Sequence, residues 1–293
     1  MHRRTEPPAR RGPWALLLCA AALAGCASAP PPPVNSAHQA ATELGQSAAR
    51  ALRQGDADRA LTLYTQALAR AEAVEDFELG GPLLLNLALV QARLGHGAQA
   101  AASLDRVLGA PQFYAAPLRA EAAARRGLLA LDTPDLDAAL RWADVAQTAC
   151  AAPCPLAATL ANLRAQVALA RGDAEGAAAF AAQAQALATA AGQDSETANA
   201  LRLGGRAHSR AGRTTQAAEL LDQALAADRR LGLSDRVALD LMDLADNETR
   251  RARPAASRAF YERALNVYLA AGHRAAADGV RARIAALPAA APD

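Results

Sequence analysis

Two stretches decide the fold: LLNLALVQARLGHGAQAAASLDRVL at 84–108 and LRLGGRAHSRAGRTTQAAELLDQAL at 201–225. Each runs through a helix-forming segment, reaches a glycine (Gly95, Gly212), and restarts with small and large apolar residues at fixed intervals. After Gly95 come Ala100, Leu104, Val107 and Leu108; after Gly212 come Ala217, Leu221, Ala224 and Leu225. Offsets of 5, 9, 12 and 13 fall on one face of an α-helix. A small residue first lets a neighbouring helix cross closely, and a large one next fills the space between layers. The glycine suits the left-handed turn that ends the preceding helix. That helix has its own rhythm, in Leu84, Leu87 and Ala88, in Leu201, Gly204 and Gly205, and in Leu241, Leu244 and Ala245.

Working outward, the same spacing recurs. Gly55 is followed by Ala60, Tyr64, Ala67 and Leu68, and Ala252 by Ser257, Tyr261, Ala264 and Leu265. Gly192, Gly232 and Gly272 each close a helix and stand 40 residues apart. A period of this length marks a stacked array rather than one globular core. Composition agrees: 52% of residues are apolar but only 3% aromatic, and alanine, the best helix former, fills the difference. No run of alternating β-branched residues supports a strand.

The small-residue helix, the glycine turn and the Ala-x-x-x-Tyr/Leu-x-x-Ala-Leu helix together resemble the tetratricopeptide repeat. The resemblance implies an all-α, right-handed α-solenoid of about six helix hairpins over 38–287, in pairs at 38–72, 79–108, 117–149, 155–191, 195–231 and 235–271. A capping helix is expected at 274–287 and a flexible tail at 288–293. Pro82, Pro117 and Pro155 read as first-turn prolines, and Asp132-Thr133-Pro134 as a cap followed by another. The period is about 40 rather than the usual 34. The third pair is out of phase, Trp142 matches Tyr64 only in a shifted frame, and repeats one, three and four lack the glycine of the small position.

The N-terminal segment carries a different message. Arg3, Arg4, Arg10 and Arg11 precede an uncharged run of 11 residues, Ala15 to Gly25. That is too short to span a bilayer, which takes about 20, and has the length of a signal-peptide core. Its end, Leu23-Ala24-Gly25-Cys26, resembles the lipobox of bacterial lipoproteins. The resemblance implies a signal peptide at 1–25 and an acylated Cys26 at the mature N-terminus. It implies a lipid-anchored chain on the periplasmic face of the outer membrane, since Ala27 rather than Asp follows the cysteine. The segment 26–37, with Pro30 to Pro33, is expected to be an extended spacer at about 3.1 Å per residue.

Charge and chemistry exclude several functions. The chain has 31 basic and 29 acidic residues, and every basic one is Arg. Near neutrality argues against a nucleic-acid partner, and the absence of Lys removes Schiff-base and P-loop chemistry. His38, His96, His208 and His273 fall in four repeats with no metal-ligand spacing. No cofactor site, metal site or catalytic motif is read. Cys150 and Cys154 flank the junction of the third and fourth pairs and read as a disulfide staple, with a redox pair as the alternative. Arg202, Arg206 and Arg210 recur every four residues on one helix. The repeat family lines its concave groove with this helix, which implies a peptide-binding groove at Arg93, Asn162, Gln166, Arg202, Arg206, Arg210 and Arg250. Arginine forks suit carboxylates. The competing reading pairs these arginines with acids of the next repeat, among them Glu196, Asp240 and Asp246. The function expected is a non-enzymatic scaffold that docks envelope proteins. The alternatives are capture of a ligand or glycan, with Phe113, Tyr114 and Trp142 as a platform, or an envelope enzyme with a site between repeats.

Overall fold

The computed structural model describes residues 36–133 and 135–288. Among these there are thirteen α-helices and no strand. They form six hairpins: α1 (Ser36–Arg53) with α2 (Ala57–Glu72), α3 (Phe77–Arg93) with α4 (Gly97–Leu108), α5 (Ala116–Asp132) with α6 (Leu136–Ala149), α7 (Ala157–Ala170) with α8 (Ala174–Ala190), α9 (Asp194–Arg210) with α10 (Thr214–Leu231), and α11 (Ser234–Arg250) with α12 (Pro254–Ala270). A single helix, α13 (Arg274–Ala285), closes the stack. Each helix packs on the next in chain order, and each first helix through α9 also touches the first helix of the following hairpin. The first helices therefore form one layer of the solenoid and the second helices the other. The lipobox-like stretch, Cys26 and most of the segment 26–37 expected to be a spacer lie outside the described residues. No described helix is long and apolar enough to cross a membrane.

The second helices share one register, measured from their N-caps Asp56, His96, Asp135, Asp173, Arg213 and Arg253, which stand 38 to 40 residues apart. Four positions on come Ala60, Ala100, Ala139, Ala177, Ala217 and Ser257, all fully buried. Eleven on come Ala67, Val107, Ala146, Ala184, Ala224 and Ala264, also fully buried. Eight on, the residue varies in size: Tyr64, Leu104, Ala143, Ala181, Leu221, Tyr261. On the first helices, the position eight before each of these caps is Ala48, Ala88, Gly127, Ala165, Gly205 and Ala245. There a neighbouring helix comes so close that a Cβ on Gly205 would stand 2.6 Å from the Leu221 Cγ of α10, and one on Gly127 2.7 Å from a Leu163 methyl of α7. The alanine-rich composition thus becomes close helix approach, which buries many small contacts instead of a few large ones.

This register corrects four expectations. The third pair is in phase once Asp135 is its cap: Ala143, not Trp142, is the counterpart of Tyr64, and Gly127 supplies the small-position glycine expected to be missing from the third repeat. Asp132 and Thr133 end α5 rather than capping α6, and Pro134 lies outside the described residues. Pro82 sits inside α3, five residues past Phe77. The Asp76 carboxylate, accepting from the Leu79 N–H at 3.1 Å, starts that helix earlier, and the proline forgoes one backbone bond. Pro155 precedes the cap of α7, so only Pro117 stands in the first turn as expected. Asp56, Asp135 and Asp173 cap their helices as Asp76 does.

Candidate functional site

The arginine ladder of α9 faces a second ladder that the sequence reading did not assemble. Asp240, Asp243 and Asp246 recur every three residues on α11, which packs on α9. The two ladders interdigitate and grade from the interior outward.

At the inner end, Arg202 is buried. Its Nε donates to the Asp240 Oδ1 at 2.6 Å, one Nη to the Asp228 Oδ2 at 2.5 Å, and the other Nη to the Asn199 Oδ1 at 3.2 Å. Asp228 and Asp240 are themselves fully buried. The remaining oxygens, Asp228 Oδ1 and Asp240 Oδ2, have no hydrogen-bond partner among the described residues. Two carboxylates share one guanidinium in a dry interior. Burial pushes the Asp240 carboxyl up to about 7 against the pull of Arg202, and Asp228 adds to the rise. Burial also acts on Arg202, but Asp240 and Asp228 more than offset it, and its pKa is raised.

In the middle, Arg206 stands 3.6 Å from Asp243. That carboxyl, too, is pushed up, to about 6, by burial that Arg206 and Arg202 only partly oppose. At the outer end the arginines outnumber the acids. Arg206, Ser209, Arg210, Asp243, Asp246, Thr249, Arg250, Tyr261 and Arg283 surround an open cavity of about 490 Å³, with Ala286 and Leu287 at its rim. Arg283 reaches both oxygens of Asp246 at 3.0 Å, and Tyr261 donates its hydroxyl hydrogen to the same carboxylate. Arg210 donates to the Leu169 carbonyl. Its pKa is lowered by burial and then by the like charges of Arg206 and Arg250. Four arginines and two aspartates leave the cavity with an excess of positive charge.

The sequence-predicted groove residues therefore separate. Arg206, Arg210 and Arg250 meet in this cavity. Arg202 belongs to the buried network instead, as the competing reading allowed, although its partners are Asp240 and Asp228. Asn162 is also buried and clips α7 to α9 through the Glu196 side chain at 2.7 Å and its carbonyl at 3.2 Å. Arg93 is exposed at the end of α3. Gln166 lines a second, apolar cavity of about 300 Å³ with Leu89, Leu128, Leu129, Leu131 and Arg125. The first-helix layer is thus apolar toward the N-terminal repeats and cationic toward the C-terminal ones. Asp243 and Asp228 escaped the sequence reading, and Arg283, expected on the solvated outer face of the capping helix, reaches into the cavity instead. The triplet spacing of the acids on α11 was the available signal for Asp243, and nothing local pointed to Asp228.

The aromatic platform does not form. Phe113 stacks on Phe77 at 3.9 Å between ring centroids and Tyr114 meets Phe77 edge-on. Trp142 lies apart under the Arg126 guanidinium, 5.1 Å away. Cys150 and Cys154 are joined as a disulfide with Cα atoms 5.4 Å apart, across the turn between α6 and α7. Three histidines make local contacts: His273 pairs with Asp235 at 2.8 Å, His38 with Asp76 at 2.5 Å, and His208 accepts from Arg213. Among the described residues no three His, Cys, Asp or Glu side chains are placed to hold a metal ion.

No protein-family model and no curated protein matches the chain. Solved structures do. A signal-transduction ATPase of the STAND type with a tetratricopeptide-repeat sensor, from Pyrococcus horikoshii, superimposes with a TM-score of 0.59 at 12% identity, over 82% of this chain and 35% of that one. A Rap protein complexed with Competence and Sporulation Factor gives 0.53 at 14% identity, over 84% and 76%. A thermophilic tetratricopeptide-repeat protein of Thermus thermophilus gives 0.51 at 24% identity, over 69% and 99%. The chain spans about a third of the length of the Pyrococcus ATPase. With the stacked hairpins and their shared register, these likenesses establish that the fold is a tetratricopeptide-repeat solenoid.

Proposed function

We propose that this protein is a non-enzymatic docking scaffold of the bacterial envelope that grips an acidic segment of a partner protein in the cavity between α9, α11 and α13. One observation carries the reading. Arg206, Arg210, Arg250 and Arg283 converge on open space with only Asp243 and Asp246 to balance them. Guanidinium forks in that arrangement suit carboxylates, by charge and by paired donors. The Rap neighbour, complexed with its Competence and Sporulation Factor, offers a precedent for a partner held on this fold. The lipobox at Cys26 supports a lipid-tethered chain facing the periplasm, and the Cys150–Cys154 pair suits an oxidising compartment.

The test is a photo-crosslinking residue at Thr249, an exposed member of the cavity lining, in intact cells, followed by mass spectrometry, with and without Arg206→Ala plus Arg250→Ala. Arg202 is left in place because it is structural. Charge-assisted bonds contribute about 1.5–3 kcal/mol each. The double variant is therefore expected to lose most crosslinks to an acidic peptide segment while its helical circular dichroism is unchanged. Crosslinks that persist at full yield would sink the docking reading. Cys26→Ser should release the protein from membranes and abolish palmitate labelling; unchanged membrane retention would count against the lipid anchor.

A further inference from the structure

Asp243 is the odd member of the α11 ladder. Asp240 is buried on a guanidinium and Asp246 is held by Arg283 and Tyr261. Asp243 lines the cavity with no hydrogen bond to either oxygen among the described residues, and the Arg206 Nε at 3.6 Å is beyond hydrogen-bond length. Its side chain is only 18% exposed. An anion entering the cavity to reach Arg206, Arg210 and Arg250 comes to rest against this carboxylate. We propose that docking of an acidic segment here is proton-coupled: Asp243 takes up a proton as the anion binds, so the pocket holds acidic partners tightly in weakly acidic surroundings and releases them as the pH rises. This rests on the docking reading above and adds its regulation.

The surroundings of Asp243 favour the protonated form before any ligand arrives. From α9 it is faced by Arg202, Arg206 and Arg210. Its own helix contributes the like charge of Asp246 and the cation Arg250. From α12 come Tyr261 and Tyr268, both neutral well above neutrality, and from α13 comes Arg283. Burial outweighs the cations and sets the carboxyl near 6. A bound carboxylate adds a further like charge and displaces water, and both effects raise it again. The bound state then holds a proton that the free state gives up above about pH 6, and affinity falls with rising pH by at most about tenfold per unit for one proton. Below about pH 6 the free pocket is already protonated and affinity levels off. Protonated, Asp243 also becomes a hydrogen-bond donor to the incoming carboxylate.

The experiment uses the chain with its lipid signal removed and a tetramethylrhodamine-labelled tetraglutamate peptide, whose carboxyls are largely ionised above pH 5.5 and whose label does not titrate between pH 5.5 and 8. Titrations are run at fixed ionic strength at pH 5.5 and pH 8. The wild type is expected to bind about tenfold or more weakly at pH 8. Asp243→Asn is expected to bind about equally at both values, and more tightly than the wild type at pH 8. Equal wild-type affinity at both values, or a pH dependence that persists in Asp243→Asn, overturns the proposal. The protonation itself is read without any ligand from the Asp243 carboxyl carbon shift by NMR. A midpoint near 6 supports the proposal, and one in the ordinary carboxylate range overturns it. If the midpoint is near 6 but the peptide binds at neither pH, the docking reading fails, and the proton-coupled step falls with it.

Discussion

Arg202 stands where other repeats carry Leu85 or Met242, and Asp240 where they carry Leu83 or Leu160. A core position occupied by charge is stable only while its partners remain. Arg202→Ala leaves two buried carboxylates facing each other and is expected to cost about 3–5 kcal/mol, read as a shift in the urea midpoint. Replacing the whole network together, Arg202→Met with Asp228→Ala and Asp240→Leu, removes the desolvation penalty and should return stability to at least the wild-type level. The sign of the pH effect follows from Asp240. Its folded pKa, about 7, lies above the unfolded value, so the folded state holds the extra proton between about pH 4 and 7. Stability from this group is complete below that window and is lost as the pH rises through it, by up to about 1.4 kcal/mol per unit. Urea titrations at pH 5 and pH 8 should show a loss in the wild type that is smaller in Asp240→Asn.

At the scale of the helix, the third repeat shows how far local signals reach. Its second helix lacks a preceding turn glycine and its large layer residue is Ala143, so spacing alone suggested a slipped frame. The cap settles the frame: Asp135 accepts from the Ala138 N–H at 2.8 Å, as Asp56 and Asp173 do for theirs. Asp135→Ala is expected to cost about 1 kcal/mol, whereas Asp132→Ala, at the end of α5, should cost much less; thermal unfolding of the two variants separates the assignments. The reason Pro82 misled is also local. A proline is tolerated in a first turn, but Asp76 caps α3 so early that the proline falls in its second turn. Gly81, just before it, stays small because Leu118 of α5 and Tyr114 of the loop leading into α5 press against it from the next hairpin.

For the whole molecule, stability is distributed along a line of neighbours rather than gathered in one core. The apolar clusters follow one another along the stack, and the last of them joins Leu221 on α10 to Val280 on α13. Removing residues 273–293 uncovers Tyr261, Ala264 and Tyr268 on α12, takes Arg283 from the cavity, and leaves Asp246 with Tyr261 as its remaining partner. The truncated chain is expected to melt earlier, to self-associate through the exposed layer, and to bind tetraglutamate more weakly. Thermal unfolding, light scattering and the fluorescence titration check the three effects. Equal melting of the two chains would show that α13 is not a cap. The division of the first-helix layer into an apolar half and a cationic half exists only at this scale, because each repeat contributes one or two side chains to it.

The sequence by itself determined the repeat, its glycine turns, the faces that are buried and the number of hairpins, because these follow from helical periodicity and the size of residues three and four apart. It also supplied the arginine ladder. Which rungs of that ladder are structural and which are open was decided by the tertiary structure alone. Whether an arginine meets a carboxylate or solvent depends on the residues that the next repeat, about 40 positions away, brings opposite it. Asp228 and Asp240 close around Arg202 and take it out of the groove, while Arg206, Arg210 and Arg250 outnumber the acids that reach them.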